Sequence, residues 1–156
     1  MKRWIIRHKK EEAENVTGNT PWYITKLLAD RGITNEQDAE MFFTQSWEFI
    51  TAGKDILNVT KAAELLAHYL SQNKKIMVFG DYDVDGVSSA SIMHHYLKSK
   101  NADFFTVLAH RHNQGYDFGE YGYERAKESK VDLLICLDCG SNSQYARKLA
   151  KDGVPV

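Results

Sequence analysis

Three carboxylates alternate along the run Phe79-Gly80-Asp81-Tyr82-Asp83-Val84-Asp85-Gly86, a turn flanked by glycines. Like charges at that spacing repel one another, and a divalent cation seated among them removes the repulsion. Hard cations such as Mg2+ and Mn2+ take oxygen ligands, which aspartates on a short loop supply without imidazole or thiolate. A second acidic stretch, Leu133-Leu134-Ile135-Cys136-Leu137-Asp138-Cys139-Gly140, puts a single carboxylate at the end of an apolar run. Asp and Gly also make ordinary solvated turns, but acids directed together into one crevice are costly unless they are used.

Three chemistries could use the first loop. Asp81, Asp83, Asp85 and Gly86 match the first half of a calcium-binding helix-loop-helix pattern. Its twelfth position is Ile92 where a bidentate Glu is required, and an apolar run precedes the loop where a helix is needed, so calcium is set aside. Asp83-Val84-Asp85-Gly86-Val87 after an apolar run resembles the nucleophile motif of haloacid dehalogenase-like phosphatases, in which the first Asp attacks phosphorus and the second is the general acid. The third chemistry is a two-metal phosphoesterase whose loop holds one or both ions and whose nucleophile is water.

The elements that must position these acids are legible from periodicity. Thr20-Pro21 reads as an N-cap and first-turn pair for a helix with the stripe Trp22, Ile24, Leu27 and Leu28, stopping at Gly32. Thr34 with Gln37 fits a capping box for a second helix carrying Ala39, Phe42 and Phe43. Apolar residues from Thr60 to Ser71 recur at helical spacing and predict a third. From residue 74 the pattern changes. Strands are predicted over 75–79, 104–109 and 131–137, with helices after the first acidic loop (Val87, Ala90, Met93, Leu97 on one face), over 123–129 and over 143–150. Val154-Pro155-Val156 reads as the start of another strand. The expectation is an α/β fold, a parallel sheet with helical crossovers over 74–156, preceded by a helical segment over 1–73 packed on it. Ligands of such sheets sit beyond the carboxyl ends of the strands, where both acidic motifs fall.

Together the two motifs resemble the DHH phosphoesterase superfamily, whose first motif is an apolar strand ending in Gly-Asp-Tyr-Asp-x-Asp-Gly and whose second ends in Asp-x-Gly. Within it the likeness is to the RecJ exonucleases, which degrade single-stranded DNA from its 5′ end. Trp4, the helix end over 27–33 and Lys61-Ala62-Ala63 agree in order and spacing, and His110-Arg111 followed by Gly115-Tyr116 is similar to the family's Gly-Tyr-Gly loop, with Asp117 in place of its second glycine. The resemblance implies two ions, Mn2+ or Mg2+: Asp83 and Asp138 hold one, Asp85 and Asp138 the other, and Asp81 assists. It makes Asp83, Asp85 and Asp138 catalytic, and His110, Arg111, Gly115 and Tyr116 substrate-binding, with Arg111 on a backbone phosphate and Tyr116 stacked on a base. It further implies repair and recombination of DNA, with single-stranded-DNA-binding protein or a helicase as partner. The Asp-His-His motif does not follow within 156 residues. The chain is therefore expected to be the amino-terminal part of a RecJ-like nuclease, weakly active or inactive alone, with a catalytically incomplete DNA- or partner-binding module as the alternative from another class.

Composition bounds these readings. With 20 Lys+Arg against 21 Asp+Glu, a net charge of -1 gives no global attraction to nucleic acid, so a polyanion needs a local patch or bound cations. A 43% hydrophobic content supports a packed core and excludes a disordered or fibrous chain. No apolar run approaches the roughly 18 residues of a membrane span, and Arg7 to Lys10 leave no room for the apolar centre of a signal peptide, so a cytoplasmic protein is expected. Cys136 and Cys139 lack the remainder of a zinc set and read as buried thiols along a strand. The adjacent His94 and His95 diverge by about 100 degrees on a helix and read as surface residues.

Overall fold

The computed structural model describes residues 20–156 apart from 45, 111, 113, 114, 116 and 141. The chain divides into two compact units, 1–56 and 57–156.

The first unit contains α1 (Trp22–Ala29), α2 (Glu36–Phe43) and two short 3-10 turns, Trp47–Phe49 and Gly53–Asp55. Leu28 and Ala39 are its buried centre, with Ile24 and Ile33 against them. Both helices are capped one residue later than the sequence predicts. Pro21 is the N-cap of α1 and makes no side-chain cap. At α2 the cap is Asn35, not Thr34: its side chain accepts from the Asp38 N–H at 2.8 Å while its amide donates to the Asp38 carboxylate at 2.7 Å. Asn is a stronger cap than Thr, and Asp38 lies three residues on, so the reciprocal pair forms there.

The second unit is built on β1 (Ile76–Gly80), β2 (Phe104–Leu108) and β3 (Leu133–Leu137), all parallel, in the order β2-β1-β3. Gly80 stands opposite Leu108 on one side and Leu137 on the other, so the three strands end level. Four helices complete the unit: α3 (Val59–Ser71), α4 (Val84–Ser99), α5 (Glu120–Glu128) and α6 (Gln144–Lys151). The strand period of two divides the core. Ile76, Val78 and Leu133 face Ala90 and Leu97 of α4, with Leu66, Tyr69 and Leu70 of α3 packed alongside. Met77, Phe79 and Leu134 turn the other way, onto Phe118, Ala126 of α5 and Leu149 of α6.

The helix predicted over 60–71 thus falls in the same unit as the sheet, with Leu66, Tyr69 and Leu70 packed against the cluster that holds Ile76, Val78 and Leu133. Two further differences concern the site's neighbours. α5 begins at Glu120, before the predicted Tyr123. His94 is not a simple surface residue: its ring packs edge-on against Phe104, centroids 4.9 Å apart, and its Nδ1 lies 3.2 Å from Thr106 Oγ1. The expected strand at 154–156 is represented by one bond, Leu134 N–H to the Pro155 carbonyl at 3.0 Å, along the outer side of β3. Among the described residues no helix is long and apolar enough to cross a membrane.

Candidate metal centre

β1 delivers the first acidic loop to the carboxyl edge of the sheet, and two glycines decide how closely α4 follows it. A Cβ on Gly86 would overlap the backbone of Asp81, and one on Gly80 would stand 2.9 Å from the Gly86 carbonyl oxygen. With neither present, the first turn of α4 lies directly on the end of β1. Asp83 is the N-cap of that helix, its Oδ1 accepting from the N–H groups of Asp85 at 3.1 Å and Gly86 at 3.0 Å. Such a cap contributes about 1 kcal/mol and fixes the carboxylate at the positive end of the helix dipole.

β3 brings the second motif to the same edge. Asp138 follows its last residue with φ of +55°, a left-handed conformation. One carboxylate oxygen each from Asp81, Asp83 and Asp138 lie within 4.8 Å of one another. Asp83 and Asp138 are exposed, whereas Asp81 is only 1% exposed. Neither Asp81 oxygen meets a hydrogen-bond donor among the described residues. The Asp138 carboxyl is pushed above the ordinary carboxylate range, by desolvation first, then by its hydrogen bond with Asp83 and the charges of Asp83, Asp85 and Asp81. A shared proton and a divalent cation answer the same electrostatic demand. A buried carboxylate without a donor, beside two more acids, has the oxygen-only donor set of a hard cation. The residues present therefore fit Mn2+ or Mg2+.

The structure brings together three of the four acids singled out in the sequence. Asp85 is not in the trio. It lies in the first turn of α4, exposed, and reaches the site through its charge on Asp138. His110 and Gly115 lie after β2 at the same end of the sheet, since Ala109 N–H continues the pairing onto the Gly80 carbonyl at 3.0 Å. His110 pairs its ring with His112, centroids 5.9 Å apart. Gly115 has φ of +73° with open space around its Cα. Arg111 and Tyr116 lie outside the described residues, as does Trp4.

Sequence reasoning missed two features here. Asp117 adopts φ of +82°, which explains why a glycine suits this position, and its carboxylate rests against Gly140. Ser143 caps α6 and donates to the Phe118 carbonyl, tying the loop before α5 to the turn after β3. Side-chain reach across two loops leaves no periodic trace, although an Asp where a resemblance calls for Gly was a visible signal. Cys136 and Cys139 are free and partly buried. Burial, followed by neighbouring charges, pushes both thiols up to about 12, so they are protonated at neutral pH.

Known proteins are similar to this chain in sequence and in fold. The family described as "DHH family, N-terminal domain" matches residues 75–156. The single-stranded-DNA-specific exonuclease RecJ of Bacillus subtilis is 31% identical over 155 residues, an alignment covering 96% of this chain and 20% of that protein. The protein of the same name from Thermus thermophilus is 37% identical over 99 residues, 62% of this chain and 14% of the relative. A crystal structure of exonuclease RecJ bound to manganese superposes with a TM-score of 0.60 at 33% identity, over 67% of this chain and 27% of that one. The chain thus spans about a fifth of the length of the first of these relatives. With the whole β1-to-β3 sheet and both acidic motifs inside the matched residues, the chain belongs to the DHH family.

Proposed function

We propose that this chain supplies the metal-binding half of the active site of a RecJ-like, single-stranded-DNA-specific 5′–3′ exonuclease. The observation that carries the reading is Asp81: a buried carboxylate with no donor, clustered with Asp83 and Asp138 at the carboxyl edge of a parallel sheet. Similarity to RecJ proteins over nearly the whole chain, and to a RecJ structure bound to manganese, supports the choice of substrate and ion. DHH membership favours this chemistry over the aspartyl-phosphate chemistry of the haloacid dehalogenase-like phosphatases.

Asp81, Asp83 and Asp138 would hold Mn2+ or Mg2+, and Asp85 would complete a second position beside them. When bound, such ions supply positive charge against phosphoryl oxygens and acidify water. Asp83 is oriented by the α4 backbone before any ion arrives, so one of its oxygens is placed without loss of rotamer freedom. His110, Arg111, Gly115 and Tyr116 would form the substrate side of the crevice. The same reading places the work in DNA repair and recombination in the cytoplasm, beside a single-stranded-DNA-binding protein or helicase.

A labelled single-stranded oligonucleotide titrated with the chain tests it by fluorescence anisotropy. Binding is expected to require Mn2+, to be lost in EDTA, and to be weaker for duplex of the same length; equal binding in EDTA would refute a metal-centred substrate site. Little nucleotide release is expected from the chain alone.

A further inference from the structure

Asp138 holds a left-handed backbone conformation at the exposed edge of the sheet, and such a conformation persists only where its surroundings enforce it. The turn at 117–118 packs against the residues that follow Asp138. Asp117 is itself left-handed, at φ +82°, a conformation that few residues with a Cβ adopt and that aspartate tolerates. Its Oδ1 accepts from the Phe118 N–H at 2.8 Å. Its Oδ2 lies 3.2 Å from the point a Cβ on Gly140 would occupy, so the carboxylate fills the space that Gly140 leaves open. One residue on, the Phe118 carbonyl accepts from Ser143 Oγ, which also accepts from the N–H groups of Tyr145 and Ala146. The Phe118 ring is 1% exposed and packs edge-on to Phe79 of β1, centroids 5.1 Å apart. The turn at 117–118 is therefore anchored in the core and touches the chain after β3 at two points, Gly140 and Ser143, two and five residues beyond Asp138.

We infer that Asp117 is a positioning residue for the metal centre: wedged between the Phe118 N–H and Gly140, it holds the turn that presents the Asp138 carboxylate to Asp81 and Asp83. The inference rests on the reading that Asp138 holds an ion. Placement, not charge, is what it requires of the side chain. An outer partner that fixes a ligand's orientation commonly changes metal affinity by about 10- to 100-fold when removed.

Calorimetric titration of the full chain with Mn2+, beside thermal melts in EDTA, tests it on D117N, D117A, D117G and D138A. Asn accepts from the Phe118 N–H and tolerates the left-handed backbone, so D117N is expected to bind within about threefold of the wild type. D117A and D117G lose the wedge and are expected to bind at least about tenfold more weakly. Glycine takes φ +82° freely, so D117G is expected to melt above D117A, and the loss of affinity then does not track stability. D117A and D117G binding as the wild type while D138A loses binding would overturn the positioning role and leave the metal centre standing. D117N falling as far as D117A would also overturn it, by showing that charge is what matters. Unchanged binding by D138A would remove the metal reading beneath it.

Discussion

Asp81 is buried without a hydrogen-bond donor among the described residues and faces two further acids. Asp81→Asn removes the charge at nearly constant shape. In EDTA the variant is expected to be more stable than the wild type by about 1 kcal/mol, visible as a raised Tm, while its Mn2+ affinity collapses. A lowered Tm would show that the carboxylate is satisfied in some other way. Asp138 adds a pH dependence whose sign is fixed by its direction of shift. Its carboxyl is held above the ordinary range, so the folded metal-free protein binds that proton more tightly than the unfolded chain does. Metal-free stability is therefore expected to rise on acidification towards the ordinary carboxylate value, and to be lost again as pH rises through the raised one. Mn2+ competes with the same proton, so its affinity falls as pH is lowered through the raised value, with proton release measurable in buffers of different ionisation enthalpy. Mn2+ binding that does not change on acidification would mean the ion does not meet Asp138. At this scale the acids themselves were legible from type and spacing. The burial of Asp81 and the N-cap bonds of Asp83 were not, since both depend on where α4 begins relative to β1.

The helix α4 and strand β1 form the element pair on which the site depends, and Gly86 sets their distance. Gly86→Ala would drive a methyl into the Asp81 backbone, against main chain that cannot swing away. A loss of about 2–3 kcal/mol is expected, read from urea unfolding, with weaker Mn2+ binding as the loop shifts. Unchanged stability would mean that the tight approach is not needed. The order of strands and helices was readable because β1 and β3 are apolar runs of strand length bounded by turn residues, and because α3 keeps a helical apolar period. Helix starts were less readable. The α1 and α2 caps each moved by one residue, because competing cap residues stand side by side in 20–21 and 34–35. The early start of α5 follows from the buried Phe118 and the Gly122 backbone packing together, a tertiary contact with no local signature.

The whole molecule consists of two units, and only the second contains the sheet and its acids. A chain of residues 57–156 is accordingly expected to fold and to bind Mn2+ with the affinity of the full chain. A chain of residues 75–156, the extent of the family match, lacks α3. It exposes the face of Ile76, Val78 and Leu133 that Leu66, Tyr69 and Leu70 cover, and is expected to melt lower or aggregate. Equal stability of the two would show α3 to be dispensable. The metal centre is tested most directly by Mn2+ calorimetry on Asp138→Ala beside the wild type, with circular dichroism to follow the fold. Mn2+ is expected to bind the wild type and to show no detectable binding to the variant, with an unchanged spectrum; Mn2+ binding to Asp138→Ala with wild-type affinity would show that Asp138 holds no ion.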